Sequence, residues 1–484
     1  MERRARRSVA PSKKAPVTRA AGSTSGYARL DWIHSAAGDP RGEKMHSLMH
    51  HLNADNLRQA FRSLAGNKAT GVDHVTKSVY QQHLDEHLAA LERSIRGGGW
   101  HPRPAREVLI PKPQGGTRPL AIGCLEDKIV QTLVARILDA IYEPLFHRHS
   151  YGFRRGKSAH QALGRVYEVI DARRRSCTVV EMDIEKFFNS VSQDWLMRTL
   201  EQRIDDPHFL RLIRRLLRNS ILHTDGTLAE TLAGTPQGSP ASPVLANICL
   251  HYLLDDWFTK NWSDKGEFVR YADDAVFVFT DEQQALAFKQ ALTERLREAG
   301  LELNADKTSV VPFSAKKPQG TISLLGFQLY WGIRFRSRRK TLKLKTQPKR
   351  LHRSMQAFYR WIKAERNRLN LSTLWQLAAQ KLRGHYNYYG TMFNEAKLSY
   401  FHHTCIGALF KWINRRSQKR SYTWEQFDRR LYFHPLPGPP RGADLINILC
   451  EHGAERKHKP KSRMRENRTY GSVRSAGPKT PVFT

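Results

Sequence analysis

The stretch Phe268-Val269-Arg270-Tyr271-Ala272-Asp273-Asp274-Ala275-Val276-Phe277-Val278-Phe279 sets two adjacent carboxylates inside an otherwise apolar run. Its two halves, within 268–280, read as a β-hairpin, and the helical pattern over 282–299 stops at Gly300. Burying a carboxylate costs several kcal/mol unless it is paired or ligates a cation, so a metal would account for the pair. The other reading of the same residues is an exposed hairpin turn, where Asp is favoured. A further carboxylate, Asp183, lies in the strand-like run Val179-Val180-Glu181-Met182-Asp183-Ile184, which can sit beside the hairpin in one sheet. Mg²⁺ is held by one or two carboxylates together with substrate phosphates. Two such ions about 4 Å apart stabilise both the attacking and the leaving oxygen of an in-line displacement. Read alone, Asp183 is a strand-end residue, and a shared site depends on how the fold spans the intervening chain.

The surrounding composition points to a polyanionic partner. The 484 residues carry 80 Lys+Arg against 45 Asp+Glu, a formal charge of +35, with a pI near 10.3 and a mean hydropathy of −0.58. That balance is too basic for a typical small-molecule enzyme and suits nucleic acid, whose phosphates exchange counterions for Lys and Arg. No apolar run is long enough to cross a bilayer, which excludes a membrane protein. Cys124, Cys177, Cys249, Cys405 and Cys450 stand far apart with no C-x-x-C pair, which argues against a disulfide framework and a Cys-rich zinc module. A reducing cytoplasm is the expected compartment.

The length predicts about two to four domains. Residues 1–44 begin with Arg3, Arg4, Arg6, Arg7, Lys13, Lys14, Arg19 and Arg29 against Glu2, and read as a disordered basic arm. A transit peptide shares that composition, but no clear amphipathic period supports organellar import. Leu48, Leu52, Leu57, Phe61 and Leu64 then recur at helical spacing up to Gly66-Asn67. Residues 106–122 form a basic hairpin around Gly115-Gly116, followed by a helix over 125–142, a strand over 178–184, a helix over 186–204 and extended chain over 301–313. Strands mixed with helices predict an α+β body with an antiparallel core sheet. Beyond Gly332 the pattern turns helical, with Leu351, Met355, Phe358 and Ile362 on one face and further helices within 374–389 and 398–413. A Pro/Gly-rich break at 435–440 precedes a tail that is basic again from Glu451.

The ordered motifs Asp183-Ile184-x-x-Phe187-Phe188, Thr235-Pro-Gln237-Gly238-Ser-Pro240 and Tyr271-Ala272-Asp273-Asp274 resemble those of reverse transcriptases. The whole chain is similar to the reverse transcriptase/maturases encoded by bacterial group II introns. That likeness runs from Asn67-Lys68-Ala69-Thr70-Gly71-Val72-Asp73 through Ile110-Pro111-Lys112-Pro113, Tyr151-Gly152-Phe153-Arg154, Leu303-Asn304-x-x-Lys307-Thr308 and Leu325-Gly326-Phe327. It ends at Leu382-Arg383-Gly384-His385-Tyr386-Asn387-Tyr388-Tyr389, about 67–420 in all. The resemblance implies a right-hand polymerase: fingers and palm over 45–332, a helical thumb or domain X over 333–420, and a basic C-terminal region over 421–484. That last region is a candidate DNA-binding segment without the Cys pairs of a His-Asn-His endonuclease.

The resemblance also implies the site. Asp183, Asp273 and Asp274 take the catalytic carboxylate roles, and two Mg²⁺ ions, for which Mn²⁺ can substitute, are assigned to Asp183, Ile184, Asp273 and Asp274. Lys112 and Arg118 would grip the incoming triphosphate, Gln237 and Gly238 would meet nucleotide and template, and Phe188 would lie beneath the sugar and exclude a 2′-hydroxyl. Leu325, Gly326 and Phe327 resemble the primer grip, with Lys307 supporting the palm. Each also has a plainer reading: a generic basic turn for Lys112 and Arg118, core packing for Phe187 and Phe188, and structural roles for the grip residues. Lys381, Arg383, Tyr386, Arg415 and Arg416 are candidate RNA contacts, with helix-face core packing the alternative for the thumb aromatics. Asn189 departs from the family's common Asp. The expected activity is RNA-directed DNA polymerisation on an RNA template and primer with dNTPs. Binding of the parent intron RNA and of target DNA would accompany it. A domesticated repair or defence enzyme and a non-polymerising splicing factor are the rival readings.

Overall fold

The computed structural model describes residues 30–38, 42–111, 116–316, 320–334, 338–417 and 421–440. The strands in chain order are β1 (Ala105–Pro111), β2 (Thr117–Ile122), β3 (Thr178–Met182), β4 (Ile221–Leu222), β5 (Leu228–Ala229), β6 (Gly266–Tyr271), β7 (Asp274–Phe279), β8 (Ser309–Pro312), β9 (Ile322–Leu324), β10 (Phe327–Ile333) and β11 (Lys340–Thr346). They form three sheets, ordered β6-β7-β3-β8, β2-β1-β4-β5 and β11-β10-β9.

The sheet β6-β7-β3-β8 is antiparallel throughout and carries Tyr271-Ala272-Asp273-Asp274 at its β6–β7 turn. Both of its faces are covered, which is why its strands are nearly continuous apolar runs instead of alternating ones. Val180, Met182, Phe268, Ala275, Phe277 and Phe279 face a core shared with the helix Leu125–Tyr142, while Val179, Val269, Val276 and Val278 face a second core shared with the helix Ala159–Ala172. The helix Leu125–Tyr142 lies deep in the first core, with Ile129, Leu133 and Ile137 fully buried.

Several segments differ from expectation, among them the pattern over 48–64, which splits into Leu48–His51 and a helix Ala54–Ser63 capped by Asn53, and the chain over 301–313, which turns before the strand Ser309–Pro312. The helix Leu30–Ala37 falls inside the stretch assigned to a disordered arm, because Leu30, Ile33 and Ala37 share one apolar face that the first core buries. The expected helix over 186–204 is broken into Phe187–Ser190 and Gln193–Leu200, where Ser192 caps the second piece through its side chain. The expected boundary at 332 cuts through a sheet, since β11 pairs with β10 in full register. Its alternation is legible in the sequence: Leu342 and Leu344 are buried while Lys343 and Lys345 take the other face, the period-2 pattern of a half-buried strand. Finally, the helix Trp424–Phe433 belongs with the three long helices Pro348–Glu365, Leu371–Tyr389 and Glu395–Ile413, because Phe427 is buried against Trp375 and Phe410. The basic tail from Glu451 lies outside the described residues.

Candidate active site

The hairpin turn between β6 and β7 holds the two adjacent aspartates, and the antiparallel register of β3 on β7 pairs Met182 with Ala275. The next step along both strands sets Asp183 opposite Asp274. Three carboxylates separated by a long stretch of chain thus meet at one end of one sheet. Asp183 accepts from Lys307 Nζ at 3.2 and 3.1 Å, and its backbone carbonyl accepts from Asn304 N at 2.9 Å. Ile184 bridges Leu303 between that bond and the Glu185 N to Glu302 O bond of 2.9 Å. In such a pair its own carbonyl points away from Leu303, toward the β7 side. The Ile184 side chain is buried, so a backbone carbonyl is all this residue can offer a cation.

Burial raises the Asp273 carboxyl above its ordinary range, and the charge of Asp183 adds to the rise. Asp274 is pushed up to about 6, first by burial and then by Asp273 and Asp183, against the pull of Lys307 and Arg350. Asp274 is exposed to solvent. Among the described residues no ion pair reaches Asp273 or Asp274, and no three His, Cys, Asp or Glu side chains converge tightly enough to hold an ion alone.

Arg270 is the residue that the sequence reading passed over. Its guanidinium is fully buried, donates from Nε and Nη2 to both oxygens of the equally buried Asp255 at 2.7 and 2.5 Å, and reaches Asn247 Oδ1 and Ala272 O at 3.0 Å each. Asp255 arrives from a single turn of π-helix, His251–Asp255. Ala272 has a left-handed backbone, φ 57°. Gly152 packs so closely beneath it that a Cβ there would lie 2.2 Å from Ala272 N. A lone arginine inside the apolar run of β6 was the signal available in sequence.

Beside the aspartates, Thr235 N donates to the Phe188 carbonyl at 2.6 Å, and Gly234 lies against the same carbonyl where a Cβ would not fit. Phe187 is buried and Phe188 half-buried, which separates the two rings that sequence left equivalent. Gln237 Oε1 accepts from Arg118 Nε at 2.8 Å, and Gln237 Nε2 donates to Asn189 Oδ1 at 2.7 Å. The Gln237 carbonyl accepts from Ala121 N at 2.8 Å, and Gly238, at φ 111°, approaches the Ala121 carbonyl. These contacts join the β1–β2 hairpin to the Phe187–Ser190 turn. Lys112 lies outside the described residues.

The expected grip residues form the β9–β10 connection, with Leu325 and Gly326 both at positive φ. The Leu325 carbonyl accepts from Tyr388 Oη at 2.9 Å, and the Phe327 ring packs against Tyr388 and Tyr389 at 5.8 and 5.2 Å. Lys307 stands apart from this turn, on Asp183. Of the candidate RNA contacts, Lys381, Arg383 and Arg415 are exposed. Arg416 is half-buried and donates to the Leu369 carbonyl at 3.0 Å. Tyr386 is corrected: it is 6% exposed, bonded to His402, and part of the helical core, because the apolar face of its helix turns inward there.

The sequence profile of the family described as "Reverse transcriptase (RNA-dependent DNA polymerase)" matches residues 110–329. Protein YkfC of Escherichia coli is 32% identical over 285 residues, covering 51% of this chain and 74% of its own. The chain belongs to the reverse transcriptase family. Within it the chain is similar to group II intron-encoded proteins: LtrA of Lactococcus lactis is 32% identical over 203 residues, 42% of this chain and 33% of LtrA. An uncharacterized 91 kDa protein in a cob intron of Schizosaccharomyces pombe is 36% identical over 211 residues, 43% of this chain and 25% of that protein. The matched part therefore spans a quarter to a third of these last two relatives.

Proposed function

We propose that this reverse transcriptase copies an RNA template into DNA by extending a primer with dNTPs, and that it also binds the RNA of its own group II intron and the intron's target DNA. The observation that carries the reading is the meeting of Asp183, Asp273 and Asp274 at one sheet end, beside the hairpin that bears Arg118. The donor set fits a hard divalent cation: three carboxylates supply oxygen ligands, Asp183 raises the pKa of Asp273 and both raise that of Asp274, and among the described residues Lys307 pairs with Asp183 while no cation of the protein pairs with Asp273 or Asp274. Asp183 and Asp273 would hold two Mg²⁺ or Mn²⁺ ions, with the Ile184 carbonyl as a further oxygen and Asp274 as electrostatic support. Such ions, when bound, activate a primer 3′-hydroxyl and neutralise charge developing on pyrophosphate.

The chain's own residues do the rest. Arg118 and Lys112 would bind the triphosphate, the first with bidentate geometry and the second as a point charge. Gln237 orients Arg118, and Gly238 lets backbone approach the nucleotide closely. The Phe188 ring would close the space a 2′-hydroxyl needs. The turn at Leu325, Gly326 and Phe327 would hold the primer, and the helices from Pro348 onward would form the thumb. Asp273→Asn and Asp183→Asn are each expected to abolish primer extension on an RNA template while leaving the unfolding transition in place. More than about a tenth of wild-type extension in either variant would refute the assignment.

A further inference from the structure

Phe153 stands out on two counts. Its side chain is 52% exposed, and its backbone lies in the left-handed region at φ 59°, where a bulky residue is strained. Neither property arises from a loose loop. On one side Tyr151 N is bonded to the Arg270 carbonyl at 2.9 Å, and the Gly152 carbonyl accepts from the buried Asn247 Nδ2 at 2.8 Å. On the other, the Arg154 guanidinium grips both Glu143 oxygens and the carbonyls of His147 and Ser150. The segment is over-determined, and the exposed ring is its product. Strain held in place at a functional site indicates a role for the strained residue.

The ring is aimed at Phe188. The two centroids lie 6.5 Å apart with planes at 74°, and Phe187 meets Phe188 edge-on as well, at 5.4 Å and 77°. Such edge-to-face contacts favour one ring orientation over its neighbours. We infer that Phe153 is a positioning residue for sugar selection, which together with Phe187 holds the Phe188 ring in the pose that blocks a 2′-hydroxyl. This rests on the reading that Phe188 faces the sugar of the incoming nucleotide. A half-buried phenylalanine with one neighbour removed gains rotamer freedom, and a wall that moves selects poorly.

The test compares kcat/KM for one dNTP and its matching NTP in primer extension by the full-length protein, together with its melting temperature. Phe188→Ala is the reference and should lower the dNTP preference. Phe153→Gly should lower it about tenfold, chiefly through increased NTP use. Its melting temperature should hold or rise, because glycine adopts the left-handed conformation without strain. Phe153→Tyr, which keeps the ring, should retain the parental preference. The double variant Phe153→Gly/Phe188→Ala should discriminate no worse than Phe188→Ala alone, since both act through one ring. If Phe188→Ala lowers the preference and Phe153→Gly does not, the inference is overturned while the reading of Phe188 stands. If Phe188→Ala itself leaves the preference unchanged, that reading fails and the inference with it. A fall in melting temperature with equal losses for dNTP and NTP would make Phe153 merely structural and also overturn the inference.

Discussion

Asp274 shows how much one residue's neighbours decide. Desolvation by the surrounding protein, and after it the charges of Asp273 and Asp183, push its carboxyl up to about 6. A carboxyl raised in the folded state binds its proton more tightly there than in the unfolded chain, so this group favours folding at low pH and loses that contribution as pH rises through about 6. Without divalent cations, the parent's melting temperature should therefore lose more than that of Asp274→Asn between pH 5 and pH 7.5, as read by differential scanning fluorimetry. Polymerisation has the opposite sign, because the electrostatic support that Asp274 would give the cations needs its ionised carboxylate: extension by the parent should decline as pH falls through about 6. At this scale the identity of the carboxylates was legible from residue type and motif. Their mutual repulsion was not, because it depends on a register across 90 positions of chain.

The unit that orients the turn is larger than any motif. Arg270 on β6, Asp255 on the π-turn and Asn247 on the preceding helix form one buried network that ends on the Ala272 carbonyl. Arg270→Met leaves Asp255 buried without a partner and should cost about 3–5 kcal/mol in urea unfolding. Arg270→Met/Asp255→Leu should recover most of that stability. Its primer extension should stay impaired, because the Ala272 carbonyl has still lost its donor. Gly152→Ala tests the same turn from the other side: its Cβ would lie 2.2 Å from Ala272 N, so the aspartates must shift. A misplacement near 1 Å is expected to reduce extension roughly 100-fold with the circular dichroism spectrum unchanged. The hairpin and the long helices were legible because periodicity is local. β11 carried the same kind of local signal, in the alternation of Leu342 and Leu344 with Lys343 and Lys345, but the break at Val191–Ser192 was not legible, since a cap decided it.

Across the whole molecule, a net charge of +35 has to be divided between structure and partner. Some cations are spent internally, as Arg270, Arg154 and Lys307 show. Lys381, Arg383 and Arg415 face solvent on the C-terminal helices. Replacing these three with Gln should weaken intron RNA binding and reduce its log–log salt slope by about 2, as measured by filter binding over a salt series. Asp273→Asn should keep parental affinity for that RNA, since holding a fold does not require the polymerase carboxylates. Among the described residues no helix is long and apolar enough to cross a membrane. Residue type, order and local period were enough to indicate an α+β reverse transcriptase with a strongly basic chain, because charge and motif chemistry belong to the chain itself. Only the tertiary structure decided that Asp183 faces Asp274, that Arg270 is buried beneath the turn, that Tyr386 is core and that Phe153 leans on Phe188. Each of those depends on which distant segments the sheet register and the close glycine contacts bring together, and no local pattern encodes such a distance.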